Sequence, residues 1–193
     1  FCYDGKKLNH YNVDSIEWVR PLMQTSNGDI WFNGRYKPHL YSYDGKTFKS
    51  FSSIVLKDWV FAMVEDNNKN LWFNNGKNDG VTFFDGKQFI NYTTEIGILP
   101  NASNFFCTSI LKDKEGNIWC SSTNCFLYNI VFSDSLLIKR EINLSLAGLQ
   151  GNTCKWIKFN GLYLLIGTNK GLNVISYENL NSDQPAIDYF FNS

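Results

Sequence analysis

One pattern is written several times along this chain. "FCYDGKKLNHY" at the start, "YSYDGKTFKSF" over residues 41–51 and "TFFDGKQFINY" from Thr82 each set an Asp-Gly pair between two short aromatic-rich runs. Asp4-Gly5, Asp44-Gly45 and Asp85-Gly86 return at intervals of about 40 residues. A second pattern alternates with the first: "NGDIWFN" around Trp31, "NKNLWFN" around Trp72 and "EGNIWCS" around Trp119. A degenerate copy, "GLYLLIGTNKGL", has Leu165 where the others have Trp. Two patterns in fixed order at one period define a repeat array. Such an array must fold so that each unit packs against its own copies.

Within one unit the strand reading is direct. "WVFAMVE" (59–65) is a continuous apolar run closed by the polar turn "DNNKN", followed by "LWFNN" (71–75), "VTFFD" (81–85) and "QFINY" (88–92). Four short strands, with no helical periodicity, fill each repeat. Asp-Gly at the hairpin centre predicts a two-residue type I′ turn, with Tyr41 opposite Phe48 and Phe1 opposite Leu8. A lone four-stranded meander with apolar inner strands cannot hide both faces, whereas copies stacked face to face hide each other. The fold predicted is therefore all-β: a β-propeller of four-stranded antiparallel blades, with the repeated Trp wedged between blades.

The whole chain reads as a single partial propeller domain. Residues 1–12 supply only an outer hairpin, and blades follow at about 15–52, 58–93, 104–144 and 152–191. That count does not close a ring of whole blades. Blade faces left open are expected to drive self-association. The chain also opens on Phe1, inside a repeat, which reads as a piece of a longer protein whose targeting signals lie elsewhere.

Composition removes several function classes. Lys+Arg and Asp+Glu are both 18, and no basic block appears, so nucleic acid is not the expected partner. No apolar run approaches the ~18 residues needed to span a bilayer as a helix. Cys2, Cys107, Cys120, Cys125 and Cys154 form no CxxC pair, and His10 and His39 lie far apart, so no metal or other cofactor is expected. Buried free thiols are the expectation, with a Cys120–Cys125 or Cys107–Cys154 bridge open to an oxidising compartment. Catalysis would need paired carboxylates, a metal cluster or a nucleophile with its base. Asp4, Asp44, Asp85 and Asp113 instead sit in turn patterns, where Asp has a structural reason to be, so no catalytic residue is assigned. Three N-x-S/T sequons, at Asn91, Asn101 and Asn143, match a short pattern of low specificity.

"DKEGNIWC" at 113–120, together with the "YDGK" hairpin, resembles the two-component regulator propeller repeat. The resemblance is strong over 15–93, good at 104–120 and weak after Leu127. It departs where Asp-Gly is lost, at "YNIVFSDSLL" and "LNVISYENL", which predicts longer or irregular outer strands there. The resemblance implies the sensor region of a hybrid two-component system of the kind found in gut Bacteroidetes. It further implies an extracytoplasmic, periplasmic propeller of a membrane-anchored parent, detecting carbohydrate breakdown products and signalling to a histidine kinase outside this sequence.

A sugar site needs an aromatic platform for the apolar ring face and planar polar groups for the hydroxyls. In a propeller, such groups come from the loops entering the innermost strands and those joining the second and third strands. The candidates are Trp18, Trp59 and Phe106 at matching entry positions, Arg20 one strand step along, Arg35 and Tyr36 in "GRYKPH", and Lys77 in the equivalent loop of the next unit. Trp18 and Trp59 also have a structural reading as inter-blade filling. The expected function is a non-catalytic ligand-binding sensor segment with an oligosaccharide ligand. The alternatives are a protein-interaction scaffold or a glycan-active propeller enzyme.

Overall fold

The computed structural model describes residues 2–3, 5–9, 19–34, 40–51, 60–75, 80–92, 107–132 and 136–192. The chain divides into two compact units, Phe1–Ser52 and Ser53–Ser193. The first holds a hairpin, β1 (Cys2–Tyr3) and β2 (Leu8–Asn9). After it comes a meander of β3 (Arg20–Gln24), β4 (Ile30–Asn33), β5 (Leu40–Tyr43) and β6 (Phe48–Phe51). The second holds three more meanders. They are β7 (Val60–Glu65) to β10 (Phe89–Tyr92) through β8 (Leu71–Asn75) and β9 (Val81–Phe84); β11 (Cys107–Lys112) to β14 (Leu136–Asn143) through β12 (Ile118–Ser122) and β13 (Phe126–Phe132); and β15 (Cys154–Phe159), β16 (Tyr163–Thr168), β17 (Gly171–Ser176) and β18 (Tyr189–Asn192). Every pairing is antiparallel between consecutive strands. The protein is all-β, built of four-stranded propeller blades, with one short helix, α1 (Tyr177–Asn181), among the described residues.

The DxxGNxW pattern is a self-satisfying turn. Asp113 Oδ1 accepts the backbone amides of Glu115 and Asn117, both at 2.9 Å, while Oδ2 accepts Asn117 Nδ2 and Trp119 Nε1, also at 2.9 Å. Asp66 repeats the arrangement with Asn68, Asn70 and Trp72 at 2.8–3.0 Å. One carboxylate thus closes the turn between first and second strands and satisfies the indole N–H that the blade buries, which explains the fixed spacing of Asp, Asn and Trp. In the first unit Thr25 occupies the Asp position and Asp29 the Asn position. Thr25 Oγ1 donates to Asn27 Oδ1 and to the Asp29 carbonyl, closing a similar turn in which the carboxylate is that of Asp29, accepting from Asn27 Nδ2 at 3.0 Å.

The Asp-Gly hairpins differ from the expected two-residue turn. In β5–β6, Tyr43 pairs with Phe48 and Tyr41 with Ser50, so the connection spans Asp44 to Thr47. Asp44 Oδ1 accepts the amides of Lys46 (2.8 Å) and Thr47 (2.7 Å), and only Gly45 of the pair takes positive φ (+91°). Asp is there as an acceptor, which widens the turn by two residues and moves the aromatic pair. The Tyr43 and Phe48 rings stack at 4.3 Å, as do Phe84 and Phe89 at 4.2 Å in the next copy. In the first hairpin Tyr3 pairs with Leu8; Phe1 lies outside the described residues.

In the second unit the core sits between blades. Trp72, Val81, Phe83 and Tyr92 of one blade pack on Cys107, Ile110, Ile118, Cys120, Tyr128 and Ile130 of the next. Trp119, Leu127 and Ile142 of that blade pack in turn on Cys154, Ile157, Leu164, Ile166 and Ile175. Trp72 and Trp119 are the expected wedges, each nearly sealed from solvent. In the first unit Trp31 is buried and stacks on Phe51 at 4.8 Å.

Loss of Asp-Gly changes the outer strands. β13 and β14 run to seven and eight residues, with a register shift between Asn129 and Ile130. In the last blade α1 is inserted before β18, capped by Ser176, whose hydroxyl accepts the Asn179 amide at 3.3 Å.

Candidate functional site

The innermost strands β3, β7, β11 and β15 all carry a register irregularity near their beginnings. Bulges re-aim side chains and free backbone amides, so something must accept those amides. In β7 it is Asn74, two residues beyond the wedge Trp72 and fully buried. Its Oδ1 accepts the amides of Phe61 (3.1 Å) and Ala62 (2.5 Å), and its Nδ2 donates 3.0 Å to the Cys107 carbonyl of the next blade. In the next blade Ser121 occupies that position, with its hydroxyl 2.8 Å from Thr108 Oγ1, and Ser109 Oγ donates to the Ile157 carbonyl across the blade boundary. The starts of β7 and β11 are thus held by short polar side chains.

In the last blade, residues 150–153 lead into β15. Asn173 pins Gln150 at both backbone groups, accepting its amide at 2.8 Å and donating to its carbonyl at 3.0 Å, and Thr168 Oγ1 donates to the same carbonyl at 2.8 Å. Asn152 donates its amide 3.1 Å to Asn169 Oδ1, tying this loop to the β16–β17 turn. Exposed Asn152, Asn169 and Lys170 consequently stand together on a fixed base. The equivalent turn between β12 and β13 presents Thr123 and Asn124. The sequence signal for this group was present in the related words "GNT" and "TNKG", but no aromatic marked it.

Of the residues singled out from sequence, Arg20 is exposed at the first position of β3 and pairs in register with Asn33. Trp18, Arg35, Tyr36, Trp59, Lys77 and Phe106 lie outside the described residues.

Titrating groups here serve the scaffold. Burial works against charge on Asp113, but the hydrogen bonds from Asn117, Trp119 and Glu115 together hold its carboxyl below the usual carboxylate range. Tyr177 of α1 adds a fifth bond, donating its hydroxyl 3.1 Å to Asp113 Oδ2 while Lys114 lies 4.3 Å over its ring. Burial and the Asp113 charge push the Tyr177 hydroxyl up. Cys107, Cys120, Cys125 and Cys154 are buried and free. Burial pushes the Cys107 thiol well up, helped by its neighbour Cys120, and that of Cys154 to about 11. Cys107 and Cys154 are therefore not nucleophiles at neutral pH.

A cleft of about 470 Å³ opens where β14 meets the segment after α1, lined by Arg140, Glu141, Ile142, Leu146, Asp183 and Pro185 among others. Among the described residues that line it there is no aromatic ring. Among the described residues no cluster of three or more His, Cys, Asp or Glu is arranged to hold a metal ion.

No protein-family model matches the chain, and no curated protein matches its sequence. Solved structures do match. Virginiamycin B lyase from Staphylococcus aureus is similar at TM-score 0.70 and 16% identity, over 97% of this chain and 60% of that one. Two extracellular domains from B. thetaiotaomicron, each named as part of a hybrid two component system, are similar at TM-scores of 0.61. The first is 25% identical over 89% of this chain and 23% of its own; the second is 16% identical over 84% and 26%. The fold is that of a β-propeller. The chain spans about three-fifths of the lyase and about a quarter of either sensor domain. Proteins of the same fold here include an enzyme and sensor domains, so the fold alone does not choose between them.

Proposed function

We propose that this chain is a non-catalytic, ligand-binding propeller segment of an extracytoplasmic sensor in a hybrid two-component system, and that its ligand is an oligosaccharide released by polysaccharide breakdown. The observation that carries the reading is the 25% identity, sustained over 89% of the chain, to the extracellular domain of a protein named as such a system. The enzymes among the structural neighbours are 15–17% identical, a likeness of fold alone. The Asn152–Asn169–Lys170 group supplies planar amides and a cation for sugar hydroxyls. Trp18, Arg20, Arg35, Tyr36, Trp59, Lys77 and Phe106 are further candidates for aromatic and polar contacts to such a ligand, each within its own unit. Among the described residues no helix is long and apolar enough to cross a membrane.

The test is thermal unfolding of the chain against a panel of plant and host oligosaccharides. A ligand at about 100 times its Kd stabilises the folded state by roughly 2.7 kcal/mol, which shifts the midpoint upward by several degrees. Asn152→Ala and Tyr36→Ala are expected to weaken that shift. A panel without any shift, or turnover of a glycan by the purified chain, would refute the reading.

A further inference from the structure

The two loops that carry Asn152, Asn169 and Lys170 are fastened by side chains that depart from the repeat. Asn173 stands opposite Ile166, one rung past the Leu165 position. At that rung the other blades place Tyr41 opposite Phe32, Thr82 opposite Phe73 and Tyr128 opposite Cys120, so Asn173 is the one amide side chain among the four. Asn173 is fully buried and turns both of its polar atoms to a single residue, Gln150. Its Oδ1 accepts the Gln150 amide, and its Nδ2 donates to the Gln150 carbonyl.

Thr168 joins the two loops. Its hydroxyl lies 2.8 Å from the Gln150 carbonyl and 3.1 Å from the Gly171 carbonyl, and it accepts the Lys170 amide at 3.2 Å. Gly151 lets the chain pass this close: its φ is +118°, and a Cβ there would lie 2.6 Å from Thr168 Oγ1 and 2.9 Å from Asn169 Oδ1. With the Asn152 amide on Asn169 Oδ1, both loops form one hydrogen-bonded unit. Fixing a backbone costs conformational entropy residue by residue. Here that ordering is complete on folding, so a ligand arrives at loops already in place.

We infer that Thr168 and Asn173 are positioning residues for the Asn152 group, a role that rests on the ligand reading proposed above. They set the affinity of that site from beneath it: Asn173 is 0% exposed and Thr168 8%. A site that is competent for only part of the time has its apparent affinity reduced by that fraction, and the reduction falls on the rate of association. Removing a side chain that contacts the ligand acts mainly on dissociation instead. The two roles therefore separate in the rate constants.

Surface plasmon resonance on the intact chain tests it, with the panel oligosaccharide that gives the unmodified chain its largest thermal shift as the probe. Thr168→Val removes the hydroxyl at nearly constant volume, Thr168→Ser keeps it, and Gly151→Ala displaces the loop without entering the core. The expected result is association slowed by about fivefold or more in Thr168→Val and Gly151→Ala, with dissociation little changed and Thr168→Ser close to the unmodified chain. Asn152→Ala should instead speed dissociation. Hydrogen exchange provides a readout without any probe: the amides of 150–153 and Lys170 should exchange faster in Thr168→Val and Gly151→Ala, while those of β16 and β17 keep their protection. Unchanged association in both variants, a loss carried wholly by dissociation, or unchanged loop exchange would overturn the positioning role and leave the ligand reading standing. An unmodified chain that binds no member of the panel overturns both.

Discussion

Asp113→Asn separates the two jobs of the repeat carboxylate. Asparagine keeps Oδ1 for the Glu115 and Asn117 amides, but it turns an NH₂ toward Asn117 Nδ2, Trp119 Nε1 and the Tyr177 hydroxyl. The hydroxyl can rotate to accept, and the Asn117 amide can flip. The Trp119 indole can do neither, and it is 2% exposed. An unsatisfied buried donor costs roughly 1–3 kcal/mol, and losing the charge from two remaining hydrogen bonds adds about 1 kcal/mol each. The expected penalty is about 3–5 kcal/mol, large against the ~5–15 kcal/mol of a typical domain. Asp66→Asn, at a half-buried carboxylate, should cost less, about 2–3 kcal/mol.

The pH dependence supplies the sign. The Asp113 carboxyl titrates below its ordinary value in the fold, so its stabilisation is complete above the unfolded pKa of about 4 and is lost as pH falls through the lower folded value. The variant lacks that group, and the gap between the two proteins should narrow in acid. Urea unfolding followed by tryptophan fluorescence, at neutral pH and near pH 3, measures both. A neutral-pH penalty under about 1 kcal/mol, or a gap that widens in acid, would refute the carboxylate's assigned role.

Three further outcomes are expected. Asn74→Ala should destabilise the second unit by about 2–4 kcal/mol, because the Phe61 and Ala62 amides and the Cys107 carbonyl lose their partner together; an unchanged urea midpoint would contradict this. The four buried thiols should resist iodoacetamide in the folded protein at pH 8 and react fully in guanidinium, as counted by intact mass. Asp44, whose carboxyl is lowered to about 2 by hydrogen bonds from the Thr47 amide and hydroxyl and the Lys46 amide, should stabilise its hairpin above about pH 4 and release it as pH falls toward 2. Amide chemical shifts of Lys46 and Thr47 would report that titration, and a midpoint at the ordinary Asp value would count against the turn geometry.

Several elements were legible because one residue does one local job. The continuous apolar run of β7, the aromatic hairpins and the Asp–Asn–Trp turn follow from side-chain period and from donors and acceptors within a few residues of one another. The β5–β6 register is not legible in the sequence, because Asp-Gly has a φ preference that suits a two-residue turn, while Asp44 acts as an acceptor and widens the turn by two residues. Asn74 lies in the strand predicted at "LWFNN", where nothing in the sequence marks its partners. Its buried role became visible only with the β7 bulge and the Cys107 carbonyl in place, because its carbonyl partner is 33 residues away in the chain.

The sequence by itself determined the four-strand unit, its repetition and the need for blade-on-blade burial, because periodicity and turn chemistry are short-range properties. Which face of a blade in the second unit receives the next was decided by register between strands. Register is a property of paired backbones. A shift of one residue exchanges the two faces while leaving the amino-acid sequence unchanged.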